Sequence, residues 1–157
     1  MNKFYLAGPF FNDEQLTVVR EIEDRADELG LDCFSPRIQC LCPPNAPPEQ
    51  RKASFEGNCK GIEGSEFILA RIDDFDPGTI WELGFAFGIT AVSRSVGMGV
   101  RQPKLYAFTT VPSRGLNLML AQSVDGFLQG LPSVKKFLEQ IVQNDDREAQ
   151  KWKGSII

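Results

Sequence analysis

The sequence contains no histidine at any of its 157 positions. Catalysis by a Ser-His-Asp or Cys-His arrangement is therefore excluded, and acid-base or nucleophilic work is left to carboxylates, Tyr, Lys or Cys. The spacings of the four cysteines match no zinc pattern, and no histidine is present to complete one. The sequence predicts no metal site and no cofactor, with the cysteines as reduced thiols: Cys33, Cys40, Cys42 and Cys59.

Long apolar runs and an excess of positive charge are missing as well. No apolar stretch approaches the ~20 residues that span a bilayer, and the first residues enter a strand without a signal-peptide pattern. We therefore expect a cytoplasmic protein with no membrane partner. The net charge of −4 and the isoelectric point near 4.9 leave no basic stripe for phosphates, so a nucleic-acid polymer is not an expected partner.

The composition that remains is that of one ordinary globular domain. Apolar residues make up 42% and charged residues 24%, and the length predicts a single domain over residues 1–157. Five short apolar segments alternate with segments of helical period, which predicts a flavodoxin-like three-layer α/β sandwich with a five-stranded parallel sheet. The predicted strands are 4–7, 31–35, 67–72, 104–109 and 123–127, and the predicted helices are 12–29, 49–62, 77–91 and 133–142.

The chain is organised around residues 73–84. This stretch follows the apolar run Phe67–Ala70 and opens a helical pattern with apolar residues at every third or fourth position. Asp76 is a typical N-cap, and Pro77 is typical of the first helical position. The pattern predicts a strand, an acidic loop and a helix, with the acids at the carboxyl end of the strand, where open α/β sheets bind ligands.

Glu82 is the unusual residue of this helix. Its neighbours on the same face are Gly78, Thr79, Phe85 and Ala86, so no local ion pair explains a carboxylate there. Burial raises the pKa of such a carboxyl unless a hydrogen bond stabilises the charged form. A solvated helix face remains the alternative for Glu82, and a plain N-cap role remains the alternative for Asp76.

Two loops and one helix add further candidates. The first strand ends in Gly8-Pro9-Phe10-Phe11, a tight turn at a ligand-binding position that lacks the dinucleotide fingerprint. Residues 36–48 hold half of the ten prolines and form either a binding loop or an exposed connector. Tyr5 is either a core residue or a functional hydroxyl. The predicted topology allows Tyr5, Asn58, Asp76 and Glu82 to converge at one edge of the sheet.

Two smaller expectations concern apolar residues. The second helix is expected to turn Phe55, Cys59 and Ile62 inward. The terminal Ile156 and Ile157 are expected to dock on another surface, such as a neighbouring subunit.

Three segments, in their order and spacing, resemble the nucleoside 2-deoxyribosyltransferase family, over residues 4 to about 127. They are Tyr5-Leu6-Ala7-Gly8-Pro9, Asp76-Pro77-Gly78-Thr79-Ile80-Trp81-Glu82-Leu83-Gly84 and Asn117-Leu118-Met119. The resemblance implies transfer of 2-deoxyribose between nucleobases through a covalent glycosyl-enzyme. It implies that Glu82 is the nucleophile, that Tyr5 orients this carboxylate, and that Asp76 contacts the substrate and assists proton transfer with the base.

The resemblance also implies the binding partners, which are 2′-deoxynucleosides and free nucleobases. It implies substrate contacts from Gly8, Pro9, Phe10, Asn58 and Gly78. A homo-oligomer is implied, in which Asn117 reaches the sugar in a neighbouring subunit's site with Met119 beside it. Asn58 stands where the family often has Asp, and an amide cannot act as a general acid, so base protonation rests more on Asp76.

Two alternatives remain open at the level of sequence. One is a nucleoside 5′-monophosphate N-glycoside hydrolase, for which Ser113, Arg114 and Ser123 are available to bind phosphate. The Asn-Leu-Met segment fits a contact with a nucleoside 5′-hydroxyl better. The other alternative is a nucleotide-binding module of the same fold without catalysis.

Overall fold

A computed structural model describes residues 3–96, 102–111 and 115–157 of the chain. Its centre is a five-stranded parallel sheet in the order β2-β1-β3-β4-β5. The strands are β1 Lys3–Ala7, β2 Asp32–Phe34, β3 Phe67–Arg71, β4 Lys104–Thr109 and β5 Gly126–Gln129. This is the flavodoxin-like strand order, and the predicted α/β sandwich is confirmed.

Helices cover both faces of the sheet. One face carries α1 and α6, and the other carries α3, α4 and α5. The helices are α1 Asp13–Glu28, α2 Pro36–Gln39, α3 Pro48–Glu63, α4 Pro77–Ser95, α5 Leu118–Ser123 and α6 Leu131–Val142, and a 3-10 turn spans Asp73–Phe75. Among the described residues, none of these helices combines the length and the apolarity that crossing a bilayer requires.

Alternation along the strands divides the core into two layers and decides where Tyr5 points. Phe4 and Leu6 face α1 and α6, whereas Tyr5 and Ala7 face the α3–α4 side. On that second side the central strands carry the fully buried Ala7, Ala70 and Ala107. Side chains this small let α4 pack close to the sheet, and the hydroxyl of Tyr5 therefore comes within reach of α4.

Several element boundaries differ from the predicted ones. The short helix α2 lies inside the proline-rich segment, where Pro36 supplies its first position. Helix α4 continues to Ser95, four residues beyond the predicted end. Strand β5 begins at Gly126, because Asn117 caps α5 and that helix occupies the chain through Ser123. The strand predicted over 123–127 therefore lies a few residues later.

Two expectations about apolar residues have different outcomes. Phe55 is 55% exposed and packs against the ring of Trp81, so its predicted inward position is wrong. The C-terminal tail docks on its own chain. The Leu116 amide donates to the Ser155 carbonyl at 3.0 Å, and the Ile157 amide donates to the Leu116 carbonyl at 3.1 Å. The tail is thus paired with the segment that leads into α5.

Candidate active site

Glu82 lies in the second turn of α4, above the centre of the sheet. The fully buried Tyr5 on β1 donates its hydroxyl hydrogen to Glu82 Oε1 at 2.5 Å. The Tyr5 ring also stacks on Phe34, with ring centroids 5.4 Å apart. Tyr5 is therefore both a core residue and a hydrogen-bond donor, and Glu82 is partly buried rather than on a solvated face.

The surroundings of Glu82 change its acidity. Burial raises its pKa to about 7, the negative charge of Asp76 acts in the same direction, and the hydrogen bond from Tyr5 opposes both. Burial and the nearby carboxylate also raise the pKa of Tyr5, so its phenol stays protonated and remains a donor. Near neutral pH, Glu82 is therefore divided between its protonated form and its charged form.

A cleft of about 330 Å³ opens in front of Glu82. Five other residues singled out in the sequence line it together with Glu82, and they come from the β1–α1 turn, α3 and the start of α4. They are Gly8, Phe10, Asn58, Asp76 and Gly78. Pro9 is buried beside this cleft and does not line it. The sheet topology thus brings the predicted catalytic carboxylates to the edge where parallel strands end.

Asp76 caps α4 and lines the cleft as well. Its Oδ2 accepts hydrogen bonds from the Thr79 amide at 2.8 Å and the Thr79 hydroxyl at 2.9 Å. A Cβ atom on Gly78 would lie 3.1 Å from the same oxygen, so a side chain at that position would press on the carboxylate. The capping role and the cleft position are therefore compatible in one side chain. The sequence alone did not single out Thr79 as the residue that fixes Asp76.

Asn58 lines the cleft and carries an acceptor atom that has no partner among the described residues. Its Oδ1 is buried and has no hydrogen-bond partner among the described residues. A buried polar atom without a partner costs free energy unless a ligand or water satisfies it. The amide of Asn58 is thus a candidate contact for a donor group on a bound molecule.

A buried network of hydrogen bonds and ion pairs stabilises the loop that leads to Asp76. Arg71 donates to Asp73 at 2.7 Å, to Thr110 at 2.9 Å and to Glu14 at 2.7 Å. Asp73 also accepts from Thr109 and Thr110. Burial acts to raise the pKa of Asp73, but these hydrogen bonds outweigh it and hold the pKa below its usual value. The network joins the ends of β3 and β4 to the start of α1.

The same network sits beneath the turn of the first strand and the strained residue before Asp76. A Cβ atom on Gly8 would lie 3.2 Å from Arg71 Cβ, so a side chain there would require Arg71 to shift by a few tenths of an ångström. Phe75 has a φ of 48°, in the left-handed region that a bulky side chain rarely adopts. The network therefore stabilises the turn that places Asp76 at the N-terminus of α4.

Asn117 and Met119 do not reach the Glu82 cleft of their own chain. They line a separate, mainly apolar groove of about 860 Å³ together with Pro77, Ile80 and Trp81. Asn117 Oδ1 accepts from the Met119 amide at 2.9 Å, and the Met119 side chain is 74% exposed.

One of the three candidate phosphate contacts, Ser123, is described by the structure, and it does not line the Glu82 cleft. Ser123 lines a third pocket, of about 250 Å³, between α4 and α5. Ser113 and Arg114 lie outside the described residues.

The proline-rich segment and α3 supply further cleft residues that the sequence analysis did not assign to a site. They are Cys40, Cys42, Arg51, Ser54 and Phe55. All four cysteines are free thiols. The density of proline in residues 36–48 was the available signal, because a stiff ordered loop beside a strand end is often a binding loop. In the part of the chain that the structure describes, no group of three or more Cys, Asp or Glu side chains is placed to hold a metal ion.

The acidity of Glu82 predicts the pH profile of any reaction in which it is the nucleophile. We expect kcat/KM to fall on the acid side with a midpoint near the pKa of about 7, because only the carboxylate attacks. Tyr5→Phe removes a hydrogen bond that favours the charged form, so this limb should move to higher pH. Rates measured between about pH 5 and 9 check both statements. An acid limb that stays in place in Tyr5→Phe would mean that another group controls it.

Comparisons with known proteins identify the family of the chain. A family model described as nucleoside 2-deoxyribosyltransferase matches residues 4–114. Among solved structures, the chain is similar to the 2-deoxyribosyltransferase of the psychrotolerant bacterium Bacillus psychrosaccharolyticus, with 27% identity and a TM-score of 0.69, over 96% of this chain and 98% of that one.

A conserved protein from Enterococcus faecalis V583 shares the fold at 17% identity and a TM-score of 0.57, over 92% of this chain and 99% of that one. No curated protein matches the sequence significantly. The family match covers well over half of the chain and includes Tyr5, Asp76 and Glu82. The chain belongs to the nucleoside 2-deoxyribosyltransferase family.

Proposed function

We propose that the protein transfers 2-deoxyribose from a 2′-deoxynucleoside to another nucleobase, with Glu82 as the nucleophile. The observation that carries this proposal is the contact between Tyr5 and Glu82 at the floor of a cleft. One oxygen of the carboxylate is held by the buried phenol, and the other is available to a reacting atom. Membership of the family and the similarity to a 2-deoxyribosyltransferase support the same reaction.

The proposed reaction has two displacements at the anomeric carbon. In the first, a Glu82 oxygen bonds to C1′ while the bond from C1′ to the base nitrogen breaks and its electron pair stays with the base. Asp76 lines the same cleft and relays a proton from water to the leaving base. In the second, the nitrogen of an incoming base attacks C1′, releases the Glu82 carboxylate and gives up a proton, which Asp76 relays back to water. The positive charge that builds on the sugar ring is stabilised by the carboxylate throughout.

Asn58 has a binding role in this proposal rather than an acid-base role. An amide has no proton that it can release at neutral pH, so it does not protonate the departing base. Its buried and unpartnered Oδ1 suits a hydrogen bond from the substrate. Gly8, Phe10 and Gly78 form the remaining walls of the proposed substrate site, with Pro9 fixing the turn that carries Phe10.

We also propose a homo-oligomer in which Asn117 and Met119 complete a neighbour's site. Both residues line an apolar groove away from the Glu82 cleft of their own chain. Trp81, Met119 and Ile157 are exposed there by 48%, 74% and 69%. Apolar side chains exposed together are typical of interaction surfaces. Sedimentation velocity of the wild type, compared with Met119→Glu, tests this assembly; an active monomer would contradict it.

The compartment and domain organisation follow as further parts of the proposal. We propose a single-domain cytoplasmic enzyme that acts on nucleosides and free nucleobases. The packing of the described elements on one sheet supports the single domain.

Product analysis tests the reaction. We expect the protein to form a new 2′-deoxynucleoside when it is incubated with one deoxynucleoside and a second free base. Release of free base from a deoxynucleotide alone, without exchange, would identify the hydrolase alternative. Binding of nucleosides with neither exchange nor release would identify a binding module.

A further inference from the structure

The Glu82 cleft carries one basic side chain among its described lining residues, and that residue is Arg51 on α3. The Glu82 carboxylate lies at the inner end of the cleft, because it contacts the fully buried Tyr5. Arg51 lies at the outer end, with the exposed Phe11 and Phe55. The cleft thus has a carboxylate at its floor, beside Tyr5, and an arginine at its exposed end, or mouth.

Two hydrogen bonds fix the position of Arg51. Its Nε donates to the carbonyl of Ala46 at 2.6 Å, and its own amide donates to the Pro47 carbonyl at 3.1 Å. Ala46 is buried within the proline-rich segment. The two terminal nitrogens of the guanidinium form no hydrogen bond or ion pair with any residue in the described ranges. Arg51 therefore lines the cleft with a positioned guanidinium fork whose two terminal nitrogens have no acceptor among the described residues.

The proposed displacement decides which part of a substrate lies near this fork. A nucleophile attacks C1′ from the side opposite the leaving group, so the base lies on the far side of C1′ from the Glu82 carboxylate. Because Tyr5 holds that carboxylate at the floor, the base points toward the mouth. Arg51 and Asn58 are seven residues apart on α3, so they share a helix face and are about 10 Å apart along its axis. The distance between Arg51 and Asn58 suits contacts with an extended base rather than with the sugar.

We infer that Arg51 selects 6-oxopurines, such as hypoxanthine and guanine, by donating to their O6 and N7 atoms. This inference rests on the proposed function for the orientation of the base. The guanidinium offers only donors, and the O6/N7 edge of a 6-oxopurine offers only acceptors. Adenine presents an amino donor beside N7 and cannot accept both bonds. A pyrimidine lacks the second ring that carries this edge outward.

Equilibrium binding in a Glu82→Gln background tests the inference without depending on turnover. The probes are 2′-deoxyinosine and 2′-deoxyadenosine, with dissociation constants measured by calorimetry. Adding Arg51→Gln should weaken binding of 2′-deoxyinosine by roughly ten- to a hundred-fold and should not weaken binding of 2′-deoxyadenosine, because Gln pairs with the adenine N6/N7 edge. Arg51→Lys should lie between, because it keeps the charge and loses the fork.

Lys52→Gln is the matched control, since it removes one positive charge from the neighbouring exposed position, where Lys52 pairs with Glu56. It should leave both dissociation constants within two-fold of the background, a change small compared with that expected of a lost bidentate pair. The inference is overturned if Arg51→Gln leaves the preference for 2′-deoxyinosine over 2′-deoxyadenosine unchanged. It is also overturned if neither nucleoside binds. An Arg51 effect confined to 5′-monophosphates of both bases overturns it as well, since that result assigns Arg51 to a phosphate.

The test separates this inference from the proposed reaction. If the wild type exchanges no bases but binding still depends on Arg51 as expected, the reaction is wrong and the recognition stands. If the wild type exchanges bases and the preference does not depend on Arg51, the recognition is wrong and the reaction stands.

Discussion

Glu82→Gln is expected to lower kcat for base exchange by about 10,000-fold or more, the scale seen when an enzyme loses its covalent nucleophile. The amide keeps an oxygen that accepts the Tyr5 hydrogen bond, so the shape of the site changes little. It cannot form the glycosyl ester, and the sugar then has no covalent partner. Intact-protein mass spectrometry with a deoxynucleoside should show one added deoxyribosyl group on the wild type and none on the variant.

Loss of folding does not explain this expected loss of turnover. The pKa of Glu82 lies near 7 in the folded chain, above its ordinary value of 4.5, so the folded state loses relative stability as the pH rises between these values. Glutamine has no such cost. Glu82→Gln should therefore be at least as stable as the wild type above about pH 7, measured by thermal unfolding. Glu63→Gln, at an exposed position of α3, is the matched control for kcat. A Glu82→Gln variant with wild-type turnover would remove the nucleophile from the proposal.

The fold followed from patterns that local physics imposes on the sequence. Alternating strand and helix segments predicted the parallel sheet, and Asp76-Pro77 located the start of α4 to the residue. The end of α4 was predicted too early: Ser93 and Ser95 are weak helix formers, but without glycine or proline in Ala91–Ser95 the helix continues. Strand β5 was shifted because the turn that starts α5 depends on the Asn117 side chain.

The candidate site was only partly predictable, for a different reason. Tyr5, Asp76 and Glu82 fall within short recognisable segments. Thr79 and Arg51 hold their positions through local hydrogen bonds, to Asp76 and to Ala46, that no sequence motif marks. The misplacement of Phe55 has a tertiary origin instead. Its helical spacing fits an inward stripe, but the close approach of Gly61 to Phe34 sets the rotation of α3 and leaves Phe55 beside Trp81. Tertiary packing overrides a short periodic pattern in such cases.

Arg71→Met is expected to destabilise the fold by about 3–5 kcal/mol, because it leaves the buried Asp73 carboxylate without its charged partner. Both side chains are 3% exposed. For a domain of this size the loss corresponds to a decrease in the melting temperature of roughly 10 °C. Lys135→Met is the matched control, since it breaks an ion pair with Glu21 whose side chains are 39% and 43% exposed. That change should cost about 1 kcal/mol or less.

Two further measurements separate the buried charge from simple loss of packing. The double variant Arg71→Met with Asp73→Leu removes both charges and should be destabilised by less than the sum of the two single changes. The pKa of Asp73 is held below its ordinary value of 3.8, so the contribution of its charge is present above that pH and declines as the pH falls. The destabilisation by Arg71→Met should therefore shrink in acid. If the loss of stability in Arg71→Met is the same at all pH values, or is strictly additive in the double variant, the loss is due to packing. In that case the charged network does not stabilise the turn before Asp76.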